Sequence, residues 1–284
     1  MNGTTDKDEF DLVIKPRQSV FSIDFKGFWR YRDLLMLFVK RDFVATYKQT
    51  ILGPLWFLIQ PVLTTAMFFI IGNIAHISTD GLPPLLFYMS GVIMWNYYAD
   101  CLTKTSETFS ANAAIFGKVY FPRLIVPVSV IVSNFVRFSI QFLLFMAFWV
   151  YYYFKGAPLH LNITVLLFPC LLILMAGHGL AMGIIISSLT TKYRDLKFLV
   201  TFGVQLLMYA APVLYPLSTI TGLKRSLMLL NPMTSIIECF KYSFTGVGFF
   251  SPEYLLYSLI SLILILFIGV VLFNKIEKSF MDTI

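Results

Sequence analysis

The chain has 284 residues, of which 58% are hydrophobic and only 13% charged, with a net charge of +7 and a mean hydropathy of +0.77. Water-soluble domains run at about 45–50% apolar and about 25% charged, so the composition argues against a soluble enzyme and predicts a polytopic membrane protein. Cys101, Cys170 and Cys239, like His76, His160 and His178, are scattered and form no CxxC pair, which argues against a disulfide framework or a structural metal site.

Residues 1–25 mix acidic and basic side chains and lack the apolar core of a secretory signal; they are expected to form a polar tail. The next stretch, KGFWRYRDLLMLFVKRDFVATYKQ, places Phe28, Leu35, Phe38, Val39, Phe43 and Tyr47 at helical spacings. Arg32, Asp33, Lys40, Arg41 and Lys48 interleave with them, which predicts an amphipathic helix lying in the headgroup plane over residues 26–52. Gly53-Pro54 then restarts the chain: Gly53 supplies a bend, and Pro54 suits a first helical turn, where its missing N–H is not needed.

A membrane-crossing helix needs about 20 mainly apolar residues. Six segments qualify: 53–75, 85–102, 124–154, 163–189, 198–217 and 254–274. Between the second and third, residues 107–120 form a short helix stopped by Phe121-Pro122. The fourth contains Gly179-Leu180-Ala181-Met182-Gly183, beside Gly177, a spacing that lets helix backbones approach closely. Residues 218–252 are apolar but too short and polar to cross, and predict a re-entrant outer hairpin. The fold expected is therefore an all-α polytopic membrane protein with six transmembrane helices, an interfacial N-terminal helix and a re-entrant segment before the last span, all within a transmembrane unit of 53–284.

Seventeen of the 22 lysines and arginines fall before the first span, in the loops after the second and fourth, or after the sixth; four fall on the other side. That imbalance places both termini in the cytoplasm and accounts for the basic charge without nucleic acid. Arg137 lies inside the third span, where an ionised side chain is a functional candidate because lipid solvates it poorly. Asn134 and Gln141 share its face at i−3 and i+4, whereas Asp100, near the cytoplasmic edge of the second span, is expected to lie too far away in depth to pair with it.

These segments resemble the permease subunit of ABC exporters for cell-surface polysaccharide, the family serving O-antigen, capsule and teichoic-acid export. The resemblance is carried by Arg41-Asp42, Tyr47 to Trp56 (YKQTILGPLW), Gln60-Pro61, Tyr120-Phe121-Pro122-Arg123 with Pro127, and Leu230-Asn231-Pro232-Met233-Thr234 followed by Ile236-Ile237-Glu238. It implies an inner-membrane homodimer served by two copies of a cytoplasmic ABC ATPase, moving a lipid-linked polysaccharide out of the cell. The chain contains no GxxxxGK[ST], so ATP and Mg would be held by the partner, and no cofactor is expected on this chain. The resemblance makes the N-terminal helix a gate whose Arg30, Arg32, Lys40, Arg41 and Lys48 meet lipid headgroups. It makes 107–120 the helix that couples to the ATPase, with Ala111, Ala114, Phe116 and Tyr120 as the docking knob and Lys118 on the rim. A glycan path would favour aromatic faces, with Trp56, Phe57, Phe68, Trp95, Tyr98, Tyr209 and Tyr215, together with Arg137, as candidate lining. A drug or small-lipid permease is the alternative within the class. A membrane-embedded transferase would need convergent acid/base groups, and the spans offer only Asp100, Arg137 and His178.

Overall fold

The computed structural model describes residues 29–48, 50–116, 118–119, 121–190, 193 and 195–281, positions 46, 47 and 277–281 by their backbone alone. The tail of 1–25, Phe28, Tyr120, Lys192 and Arg194 lie outside the described residues. Among the described residues all regular structure is helical. In chain order the helices are α1 (Arg32–Tyr47), α2 (Trp56–Ile74), α3 (Pro84–Ser106), α4 (Thr108–Phe116), α5 (Ile125–Phe154), α6 (Phe168–Thr190), α7 (Leu196–Tyr209), α8 (Gly222–Leu229), α9 (Pro232–Thr245) and α10 (Pro252–Met281). The 3-10 turn Gly53–Leu55 leads into α2 with Gly53 at φ +50°, the left-handed bend expected of the Gly-Pro restart.

Four stretches are long and apolar enough to cross a membrane: Gly53–Ile74, Ile125–Phe154, Ile163–Thr190 and Pro252–Ile276. Their outward faces carry Leu63, Met67, Leu143, Ile173, Ile263 and Phe267. Two expected spans look different. The second, α3, runs over 23 residues and carries Ser90, Asn96, Asp100 and the polar run Thr103-Lys104-Thr105-Ser106. It stands at the centre of the molecule, packed by α2, α5, α6, α7 and α9, so most of its side chains are satisfied by protein. The fifth stops short: α7 ends at Tyr209 after 14 residues, and the chain turns through 210–216 with Ala211 and Val213 fully buried.

Small residues set the closest approaches. A Cβ added at Gly179 of α6 would stand 2.6 Å from Cys101 Cβ, and one at Gly183 would stand 3.0 Å from the Leu102 carbonyl oxygen. The GxxxG therefore packs α6 onto α3. His178 is buried in the same helix, with Nδ1 2.8 Å from the Leu174 carbonyl and Nε2 3.0 Å from Ser261 Oγ on α10.

Residues 218–252 fold into α8 and α9. The side chain of Asn231 caps α9 by accepting the Met233 N–H at 3.1 Å, Pro232 opens its first turn, and Gly246 closes it at φ +78°. Helix α9 is buried against α3, α6 and α10. Trp149 of α5 donates its indole N–H to the Phe244 carbonyl at 2.6 Å, and Phe142, Phe145 and Phe168 close over Phe240 and Phe244. Within α9, Lys241 pairs with Glu238 at 3.3 Å, both almost wholly buried. The Lys241 ammonium also donates to the Pro212 carbonyl, and Glu238 Oε2 accepts the Phe249 N–H at 3.2 Å.

Candidate functional site

Helix α1 packs along α5. Leu34, Leu35, Phe38 and Val39 turn inward, with Phe38 seated 5.8 Å from the Phe121 ring. Its other side is not uniformly polar: Met36, Leu37 and Val44 are exposed beside Arg32 and Lys40, with Trp29 and Arg30 exposed just before the helix and Lys48 at its C-cap. A helix with one apolar stripe on protein and a second apolar-and-basic face outward is suited to a lipid surface.

Between α1, α2, α3, α4 and α5 lies a cleft of about 460 Å³. Arg41 and Asp42 of α1, Phe57 of α2, Lys104 of α3, Asn112 of α4, and Asn134 and Arg137 of α5 form its chemically distinctive wall. Arg137 Nη1 donates to Asp100 Oδ2 at 2.8 Å, its Nη2 donates to Gln60 Oε1 at 3.4 Å, and its guanidinium lies 4.8 Å from the Phe57 ring centroid. Its buried Nε has no hydrogen-bond partner among the described residues. Lys104 Nζ donates to Asn134 Oδ1 at 2.8 Å. Arg41 pairs with Asp42 at 2.8 Å, lies 4.7 Å from the Phe38 ring and donates to Asn112 Oδ1 at 3.3 Å.

The Arg137–Asp100 pair corrects the depth reckoning made from the sequence. Counting residues inward from each helix end assumes that α3 and α5 end at one level. Instead the first turn of α5, with Ile125 and Val126, packs with Phe109 and Phe116 of α4, beyond the end of α3. The level of Arg137 is thereby brought back to Asp100.

Helix α4 divides the residues expected to form a docking knob. Ala111, Ala114 and Lys118 are exposed, in line with Glu107 and Ser110. Phe116 is buried, 6.0 Å from Phe109 and 5.8 Å from Phe121, and the buried Arg123 guanidinium covers it at 5.3 Å. Phe116 therefore belongs to the core beneath the helix and cannot be a docking contact.

The proposed aromatic lining is likewise split. Phe57 and Arg137 line the cleft. Trp95 and Tyr98 are buried in the core against each other, 5.3 Å between centroids, and Phe68 is buried edge-on to Tyr88 at 6.3 Å. Those three rings are enclosed by their own chain and line no path outside it. Trp56 and Tyr209 are exposed, and Tyr215 donates its hydroxyl to the Tyr209 carbonyl at 2.6 Å, at the far end from α1.

Sequence reasoning missed Gln60, Lys104 and Asn112 as parts of this site. Part of the signal was there: Asp100 and Lys104 stand at i,i+4, and Asn134 and Arg137 at i,i+3, so each pair presents one face to the other helix.

Apolar helices around a buried, polar central one, with a charged cleft at one end, define a multi-pass membrane protein. Comparison with known sequences supplies the family: residues 33–245 match the ABC-2 type transporter, and the chain belongs to that family. It is similar to the O-antigen export system permease protein RfbA of Myxococcus xanthus, 30% identical over 76% of this chain and 82% of that protein. Two proteins of the same name from Klebsiella pneumoniae are 26% and 27% identical, each over 88% of this chain and 94% of its own length.

Proposed function

We propose that this chain is the permease subunit of an ATP-driven exporter that carries a lipid-linked, O-antigen-like polysaccharide across the bacterial inner membrane. The observation that carries the reading is the likeness, over most of the chain, to permeases named for O-antigen export. With no GxxxxGK[ST] of its own, the subunit draws its energy from a separate ABC ATPase, two copies of which serve a homodimer and hold the ATP and Mg.

In this reading the chain crosses the membrane six times. The 23 residues of α3 rise about 34 Å, enough for a hydrocarbon core of about 30 Å. Helix α7 with the turn after it completes the fifth crossing, and α8 and α9 form the re-entrant outer segment. Both termini then face the cytoplasm. The charge asymmetry behind that orientation sharpens when Lys241 is set aside, because its ammonium is neutralised inside the fold by Glu238. Helix α1 serves as the gate, its outward Arg30, Arg32, Lys40 and Lys48, with Arg41 at the cleft, meeting the phosphate-bearing end of the lipid carrier. Helix α4 docks on the ATPase through Glu107, Ser110, Ala111, Ala114 and Lys118.

Deleting the gene in its own bacterium and fractionating surface and membrane glycans tests the cargo. Surface polysaccharide is expected to disappear while lipid-linked polymer accumulates inside. Unchanged surface glycan would overturn the assignment.

A further inference from the structure

Helix α4 has two sides with different work. Its outward side, Ser110, Ala111 and Ala114, is exposed, as is Glu107 just before it. Its inward side carries Thr108, Phe109, Asn112 and Phe116, all buried. Three of those are held as core side chains: Thr108 donates to the Thr105 carbonyl at 2.7 Å, and the two phenylalanines pack with Phe121, Ile125 and Phe273.

Asn112 differs. Its Nδ2 donates to the Thr108 carbonyl of its own helix at 3.0 Å, which fixes the amide plane and turns Oδ1 to Arg41 Nη1 on α1. Arg41 is in turn fixed by Asp42 and by the face of Phe38. Apolar contact between the two helices, through Phe38, Phe121 and Phe116, is non-directional and can slide. A hydrogen bond to a charged guanidinium is directional and fixes register.

We propose that Asn112 is a positioning residue: through Oδ1 it ties Arg41, and with it the gate helix, to the motion of α4. The proposal rests on the reading of α4 as the docking helix and α1 as the gate. When the ATPase shifts α4, the cleft wall at Arg41 moves with it, and the gate opens in step with hydrolysis.

The test uses the chain co-expressed with its ATPase and reconstituted in proteoliposomes, reading glycan exported per ATP hydrolysed. Asn112→Leu keeps the branching and heavy-atom count and removes the acceptor, and is expected to lower that ratio roughly tenfold, the scale of one hydrogen bond to a charged group. Asn112→Asp keeps an acceptor for Arg41 but loses the N–H that holds the side chain on the Thr108 carbonyl, and is expected to fall between Leu and the parent. A purely packing role predicts the opposite order, with Leu tolerated and Asp not, and that order would overturn the proposal. A second measurement needs neither variant: spin labels at Met36 on α1 and Ala113 on α4 should hold one separation through the ATP cycle. A separation that changes with nucleotide would also overturn the relay. Ala114→Arg separates this from the docking reading. Normal co-purification with the ATPase in that variant would sink docking by α4, whereas lost co-purification beside a fully coupled Asn112→Leu would sink the relay alone.

Discussion

Replacing Lys241 by methionine isolates the most deeply buried charge pair among the described residues. The substitution preserves length and apolar stem but, among the described residues, leaves Glu238 with the Phe249 N–H at 3.2 Å alone, and the Pro212 carbonyl without its lysine donor. Side-chain exposures of 1% for Lys241 and 3% for Glu238 leave no water to compensate. Breaking a buried pair from one side costs about 3–5 kcal/mol, far more than an exposed pair is worth. The informative partner is Glu238→Gln, which removes the charge and keeps an acceptor for Phe249. In the parent it strands the lysine and destabilises; in the Lys241→Met background it relieves an orphan carboxylate and stabilises. Acidification should have the same rescuing sign on Lys241→Met, because a protonated Glu238 carries no charge to bury. The assay is unfolding of each purified variant by SDS in mixed micelles, completed as a double-mutant cycle. If Glu238→Gln costs the same in both backgrounds, the pair is uncoupled and the reasoning from burial is wrong.

Truncating Phe116 to alanine removes a core ring rather than a docking contact, and should cost about 3–5 kcal/mol of stability. Thermal unfolding in detergent checks this, and an unshifted midpoint would return Phe116 to the surface. Arg137→Lys keeps the charge but cannot hold Asp100 and Gln60 with two separate nitrogens. Loss of one such bond, about 1.5–3 kcal/mol, should weaken the tie between α2, α3 and α5 and reduce surface glycan in a complemented deletion strain. Parental levels would show that one of the two contacts suffices.

Much of this architecture was legible in the sequence, because the relevant signals are local. Whether a run of side chains leaves water depends on its own composition, so the apolar helices at Gly53–Ile74, Ile125–Phe154 and Pro252–Ile276 could be read directly. The Gly53 bend and the Gly179–Gly183 packing face depend on backbone preferences of single residues, and they too were readable. Arg41, expected at the gate, and Phe57 and Arg137, expected on the glycan path, all line the one cleft.

What the tertiary structure decided was the partner of each buried group. Arg137 and Asp100 are separated by 37 positions, and their contact depends on how far α5 slides past α3. Phe116 and Ala114 lie two residues apart on one short helix, yet one faces the core and the other solvent, a rotation set by Phe38, Phe109 and Phe121. Trp95 and Tyr98 carry the same chemistry as an exposed aromatic, and only the helices packed around α3 seal them off. Composition measures the free energy of leaving water and is insensitive to direction. The choice of neighbour is made by helix rotation and stagger, which belong to the assembled fold.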